Sequence, residues 1–206
     1  TCEPMSQLKH QPHPKLWVIL PAAGSGSRFS KTELKQYQMI QERTVLEHTV
    51  ARLNQLPLAG YVLAIGEQDN VAKMLPFSSQ EKAHFCLGGA ERVNSVLNAL
   101  TYLSQIASED EWVLVHDAAR CLITPGQLDA LINACQGDGV GGLLALKLPD
   151  TLKRESGGRV AETLERADKW LAQTPQMFRI GELQQALTAA GAAVTDEASA
   201  MEFVGK

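Results

Sequence analysis

The sequence predicts an α/β fold: a mostly parallel sheet with helices on both faces and a projecting β-arm. Three observations predict it. Short, continuous apolar runs alternate with stretches of helical period, the pattern of a parallel sheet covered on both sides. Polar, glycine-containing clusters follow several of these runs, at the strand ends where α/β sheets hold their ligands. After Asp150 the pattern changes to two polar, β-compatible stretches around Gly157-Gly158.

Residues 16–20 form the first strand and empty into Pro21-Ala22-Ala23-Gly24-Ser25-Gly26-Ser27-Arg28. Residues 44–56 carry Val45, Leu46, Val50, Leu53 and Leu56 near helical spacing, with Thr44 as N-cap and Glu47 completing a capping box. Residues 61–65 and 83–87 are the second and third strands. Gly88-Gly89 opens a helix with Val93, Val96, Leu97, Leu100 and Leu103 on one face. Residues 112–115 make a fourth strand, 127–135 a helix and 140–146 a fifth strand. The arm begins at Thr151; a lone hairpin is not stable in water, so it predicts a partner surface. Residues 181–206 read as mostly helical.

A chain of 206 residues, 45% apolar, suits one domain with a full core. Residues 1–15 hold three prolines, two histidines and no apolar run. They are expected to be a flexible tail, with the domain at 16–206 and the arm at about 151–166. A net charge of −4 and a pI of about 5.7 argue against a general nucleic-acid binder. No apolar run approaches the length of a membrane span. The four cysteines, Cys2, Cys86, Cys121 and Cys135, are scattered, with Cys86 and Cys135 in apolar surroundings as buried thiols. That usage points to a reducing compartment, the cytoplasm.

Three clusters carry the chemistry. Gly24 and Gly26 let backbone N–H groups approach an anion closely, and Arg28 and Lys35 add cations, so the loop suits a phosphate chain. It lacks the closing Gly-Lys-Ser/Thr of a Walker A loop and the third glycine of a dinucleotide fingerprint, and a ligand-free turn fits it too. Gly88-Gly89-Ala90-Glu91-Arg92-Val93-Asn94-Ser95 joins a tight turn to a helix start whose backbone can read a flat ligand edge; a plain helix start is the alternative. Arg92 and Ser95 share a helix face. In His116-Asp117-Ala118-Ala119-Arg120, Asp117 is placed to hold Mg²⁺ beside phosphates or to cap the next turn. Arg120 suits a substrate phosphate or a surface ion pair, and His116 reads as a hydrogen-bonded structural residue. Thr195-Asp196-Glu197-Ala198 also fits a capped helix start with acids in its first turn.

In order along the chain stand Pro21-Ala22-Ala23-Gly24-x-Gly-x-Arg28, Lys35-Gln36-Tyr37, Gly88-Gly89-x-x-Arg92-x-x-Ser95, Val115 to Arg120, Asp150-Thr151-x-Lys153, Thr174-Pro175-Gln176-x-Phe178 and Thr195 to Ala198. Together they closely resemble the 2-C-methyl-D-erythritol 4-phosphate cytidylyltransferase family, from about residue 16 to 205. The resemblance implies a Rossmann-like nucleotidyltransferase domain whose β-arm interlocks a homodimer. It implies a reaction of CTP with 2-C-methyl-D-erythritol 4-phosphate that gives 4-diphosphocytidyl-2-C-methyl-D-erythritol and pyrophosphate, in the non-mevalonate isoprenoid pathway. Carried onto this chain, it assigns catalysis to Arg28 and Lys35. It assigns the nucleotide to Pro21, Ala22, Ala23, Gly24, Ser25, Gly26, Gly88, Gly89, Ala90 and Ser95. It assigns the second substrate to Asp117, Ala118, Arg120, Thr151, Thr174 and, across a dimer, Arg166, with Asp117 also the ligand of Mg²⁺ or another divalent cation. Leu34 and Cys121 stand where the family usually has prolines, and Ala90 where some relatives have an acid. Family members continue beyond the position of Lys206 with another active-site lysine. A ribitol 5-phosphate cytidylyltransferase and an inactive nucleotide-binding subunit are the alternative readings.

Overall fold

Residues 14–24 and 34–206 are described by the structure, a computed structural model. The expected strand at residue 16 is β1, Leu16–Ala22. A short hairpin, β2 (Met39–Ile40) and β3 (Arg43–Thr44), leads into α1, Val45–Leu53. The Thr44–Glu47 capping box is present: Thr44 Oγ1 accepts from the Glu47 amide at 3.1 Å, and Glu47 Oε2 accepts from the Thr44 amide at 2.8 Å. Then come β4 (Gly60–Ile65), β5 (Ala83–Leu87), α2 (Arg92–Leu103), β6 (Trp112–Val115), α3 (Pro125–Cys135) and β7 (Gly141–Lys147). The arm is β8 (Leu152–Ser156) and β9 (Arg159–Leu164). It turns at Gly157 and Gly158, whose φ of +60° and +75° suit a two-residue hairpin loop. The chain closes with β10 (Trp170–Arg179), α4 (Ile180–Ala190) and α5 (Glu197–Phe203).

Among the described residues one sheet has six strands in the order β5-β4-β1-β6-β10-β7. β5, β4, β1 and β6 are mutually parallel; β10 runs antiparallel to both its neighbours, so it alone is reversed. Alternate side chains of β1 leave opposite faces. Leu16, Val18 and Leu20 pack with Leu46, Val50 and Leu53 of α1 and with Leu128 and Ile132 of α3. Trp17 and Ile19 pack with Val96, Leu100 and Leu103 of α2 and with Leu183 and Leu187 of α4. Most of these side chains are wholly buried, each contributing about 1.5–3 kcal/mol. Helices therefore cover both faces, as the apolar runs predict. Cys135 is buried and Cys86 half-buried, so the reading of both as buried holds fully only for Cys135; burial pushes both thiols up to about 11.

The sequence pattern assigns no element to β10, yet it holds the sheet's far side together. Pro175 interrupts it and lacks an amide hydrogen for the ladder. The register with β7 shifts between Ala172 and Gln176, and the proline falls within that irregularity, where an unpaired residue is tolerated. The Thr174-Pro175 peptide is cis. Just before β1 the Lys15 ammonium pairs with Glu111 at 3.0 Å. The rest of the expected tail, residues 1–13, lies outside the described residues.

Candidate active site

The strand order reverses direction beside β1. The chain runs outward from β1 to β4 and β5, then crosses back to place β6 on the other side. Such a switch point leaves a crevice at the carboxyl ends of the two central strands. A cleft of about 780 Å³ opens there, formed by the ends of β1, β5 and β6. It gathers Pro21, Ala22, Ala23 and Gly24, then Lys35 and Gln36, then Gly89 to Arg92 with Ser95, then Asp117 to Ala119.

Each wall is fixed from behind. The single-turn helix Lys35–Tyr37 is tied to β1 by Gln36, whose buried Nε2 donates to the Ala22 carbonyl at 3.0 Å. The Tyr37 hydroxyl donates to Asp69, which also accepts from the Val71 and Ala72 amides. Gly88 allows the close approach of β5 to the β1 loop: a Cβ there would lie 2.2 Å from the Ala23 Cβ. Ser95 Oγ accepts from the Gly89 amide at 3.0 Å, fixing the turn ahead of α2. Thr49 Oγ1, buried in α1, donates to the Ala118 carbonyl at 2.8 Å.

The wall beyond β6 is the most heavily bonded. His116 is fully buried, and Nε2 lies 2.9 Å from the Arg120 carbonyl, so that nitrogen carries the proton and donates. Nδ1 is then the acceptor, 3.1 Å from Thr174 Oγ1, which itself accepts from the Asp117 amide at 3.1 Å. Burial above all holds the His116 pKa below its ordinary value, keeping the ring neutral at pH 7. The ring is a structural strut between the turn and β10, as the sequence reading has it.

The Asp117 carboxylate faces two guanidinium groups. Arg92 reaches Oδ1 at 3.2 Å through Nη2 and at 3.3 Å through Nε, and Arg120 Nε reaches Oδ2 at 2.9 Å. Arg120 also donates to Gln173 Oε1. On its far side Arg92 Nη1 meets Glu197 Oε1 at 2.6 Å, and Nη2 meets Oε2 at 3.3 Å. Burial alone would lower the Arg92 pKa, but the charge and bonds of Glu197, then of Asp117, outweigh it and hold the guanidinium above its usual range. Glu197 sits in the first turn of α5. Asp196 caps that helix by accepting from the Ser199 amide at 2.9 Å. Gln176 of β10 ties the same turn down, donating to Asp196 Oδ2 and accepting from the Ala198 amide, each at 2.9 Å.

The structure thus brings Pro21, Ala22, Ala23, Gly24, Lys35, Gly89, Ala90, Ser95, Asp117 and Ala118 to one cleft. Gly88 lies just behind it, and Arg120 and Thr174 stand beside Asp117. Ser25, Gly26 and Arg28 lie outside the described residues. Thr151 and Arg166 do not line the cleft: Thr151 is exposed before β8, and Arg166, past β9, donates to the Pro149 carbonyl. Glu197 and Gln176 contribute to the site's support, though the sequence reading gives them no role. Their partners are far away in the chain, and only the patterns Thr195 to Ala198 and Thr174 to Phe178 signalled them.

The donor set can be tested for a divalent cation. Among the described residues no group of three or more His, Cys, Asp or Glu side chains could hold a metal ion by itself. Mg²⁺ does not need one: it binds through one or two carboxylates together with phosphate oxygens and water. Asp117 on the cleft wall offers one such carboxylate, so the residues present fit a cation that arrives with a triphosphate.

A switch-point cleft that joins a glycine turn, a lysine and a strand-end aspartate on a mostly parallel sheet defines an α/β nucleotidyltransferase. The family profile of IspD, 2-C-methyl-D-erythritol 4-phosphate cytidylyltransferase, matches residues 16–206. The chain belongs to this family. It is 55% identical to the 2-C-methyl-D-erythritol 4-phosphate cytidylyltransferase of Acinetobacter baumannii (strain SDF), over 98% of this chain and 87% of that protein. It is 47% identical to the enzyme of the same name from Pseudomonas aeruginosa, over 93% and 85%. The crystal structure of the Francisella tularensis 2-C-methyl-D-erythritol 4-phosphate cytidylyltransferase superimposes with a TM-score of 0.78 at 34% identity, covering 93% of this chain and 87% of that one. The structure of the Thermus thermophilus enzyme gives 0.72 at 29%, covering 91% and 83%.

Proposed function

We propose that this chain joins CTP to 2-C-methyl-D-erythritol 4-phosphate, giving 4-diphosphocytidyl-2-C-methyl-D-erythritol and pyrophosphate for isoprenoid synthesis. The observation that carries this reading is the cleft itself: residues from separate motifs, 21–24, 35, 89–92 with 95, and 117–119, line one space in a chain of this family. In the reaction an oxygen of the polyol phosphate attacks the α-phosphorus of CTP and forms the new P–O bond. The bond from the α-phosphorus to its bridging oxygen breaks, and the electron pair leaves with pyrophosphate. No proton has to move, because the attacking phosphate is already ionised. The barrier is the approach of one anion to another, which fixed positive charge lowers.

The residues divide the task. Arg28 and Lys35 neutralise the triphosphate and the departing pyrophosphate, while Pro21 to Gly26 hold its chain. Gly88, Gly89, Ala90 and Ser95 present backbone and hydroxyl groups to cytosine and ribose. Ala118, Arg120, Thr151 and Thr174 take the polyol phosphate. Asp117 would hold Mg²⁺, which supplies further positive charge to the phosphates when bound. The arm pairs two copies as a homodimer, supported by its exposed strands and by exposed Val160, Leu146 and Trp170 on and near it. Arg166, away from its own cleft, then serves the partner's. A cytoplasmic setting is supported by free Cys86, Cys121 and Cys135. Among the described residues no helix is long and apolar enough to cross a membrane.

Turnover with two polyol phosphates tests the proposal, with CTP binding measured separately. Pyrophosphate release with methylerythritol phosphate, well above that with ribitol 5-phosphate, is the expected result. Preference for ribitol 5-phosphate, or CTP binding with no turnover on either, would overturn it.

A further inference from the structure

Glu197 is a buried charge that the proposed chemistry does not use. Only 1% of its surface is exposed, and it contributes to a site 105 residues away in sequence. A buried carboxylate costs several kcal/mol unless it is paired and hydrogen-bonded. Among the described residues Glu197 has one cationic partner, Arg92, which it meets with both oxygens, fork to fork. The same guanidinium turns its remaining edge to Asp117 Oδ1. The order is therefore carboxylate, guanidinium, carboxylate, with the first end sealed in protein and the last on the cleft wall. The first end cannot drift, because Asp196 and Gln176 pin the start of α5 to β10. Thr174, in the same strand as Gln176, takes the Asp117 amide hydrogen, so both ends of the relay rest on β10.

We propose that Glu197 is a positioning residue for Asp117, acting through Arg92. Sharing the guanidinium between two carboxylates keeps it from neutralising Asp117 alone. Clamping it from behind fixes the plane in which Oδ1 is held, while Arg120 fixes Oδ2. Asp117 is left oriented toward a divalent cation that carries the nucleotide. This inference rests on Asp117 facing that cation, as the proposed function has it.

The test uses the full chain with Glu197→Gln, Arg92→Lys and the double variant. Glutamine keeps the shape and removes the charge; lysine keeps the charge and loses the fork. Mn²⁺ binding in the presence of CTP, followed by water-proton relaxation, is the readout and needs no turnover. Each single variant should weaken Mn²⁺ binding by about 10–100-fold, the usual cost of removing an outer partner of a metal ligand. The double variant should be no more than about twofold worse than the weaker single, because both changes break one relay. Melting temperature is followed in parallel. Unchanged Mn²⁺ binding in Arg92→Lys, or Glu197→Gln that melts lower yet binds Mn²⁺ as the wild type does, would overturn the proposal and make the pair a clamp between α5 and α2. Additive losses would overturn it too. If the wild type binds Mn²⁺ and CTP but turns over neither polyol phosphate, the proposed function fails while the binding series still decides the relay.

Discussion

Asp117 is held from three directions: its amide by Thr174, one oxygen by Arg92 and the other by Arg120. Lys35 comes to the same cleft on a single helical turn anchored by Gln36. The Asp117 carboxylate, the Arg92 guanidinium and the Lys35 ammonium thus line one cleft. If catalysis is neutralisation of a crowded polyphosphate, removing a cation should slow transfer more than it weakens binding. Lys35→Ala and Arg28→Ala are each expected to lower kcat by about 10²–10³-fold, the usual cost of a lost preorganised donor. The dissociation constant for CTP should change far less. Rapid-quench turnover beside calorimetric CTP binding checks this; unchanged kcat in both variants would remove the loop and Lys35 from the mechanism. The nearness of Lys35 and Asp117 to the cleft, and of Arg120 to Asp117, was legible because each stands in a short motif beside a strand end or glycine loop. The partnership of Glu197 with Arg92 was not legible. An acid in the first turn of a helix has a sufficient local explanation in the helix dipole, and nothing local shows that it is buried.

Among the elements, α1 shows how a local signal becomes part of the site. Its capping box was legible as Thr44 and Glu47, and the helix it starts carries Thr49 to the Ala118 carbonyl. Thr44→Ala removes the side chain that accepts from the Glu47 amide and should cost about 1 kcal/mol. In a chain of this size that lowers the melting temperature by about 2–4 °C, measurable by calorimetry. An unchanged melting temperature would mean the cap contributes nothing. Strands β1, β4 and β6 were legible because they are buried on both faces and read as continuous apolar runs. β10 was not, for the opposite reason. Its first residues, Trp170 to Ala172, are exposed, its middle carries Pro175, and only Met177 and Phe178 enter the two cores. What makes it a strand is pairing with β6 and β7, a long-range fact that no local pattern contains.

At the scale of the whole molecule, the arm and the cleft pose one question. Among the described residues strands β8 and β9 pair only with each other and expose most of their residues, and Arg166 emerges beside them outside the cleft. Exchange of arms across a two-fold axis would bury both and complete each site with the partner subunit's Arg166. Mixing Arg166→Ala protein with Asp117→Asn protein should then restore part of the activity after subunit exchange, since one site in each heterodimer has both wild-type residues. No recovery, with heterodimers proven by mass spectrometry, would rule out a shared site. Beneath this stands the claim that the switch-point cleft transfers a cytidylyl group. The phosphorus balance of the reaction, followed by ³¹P NMR with CTP and 2-C-methyl-D-erythritol 4-phosphate, tests it most directly. The account predicts one pyrophosphate released for each CTP consumed, together with two mutually coupled resonances from a new diphosphate, and neither without the polyol phosphate. CTP hydrolysed equally in its absence, or left intact in its presence, would contradict it.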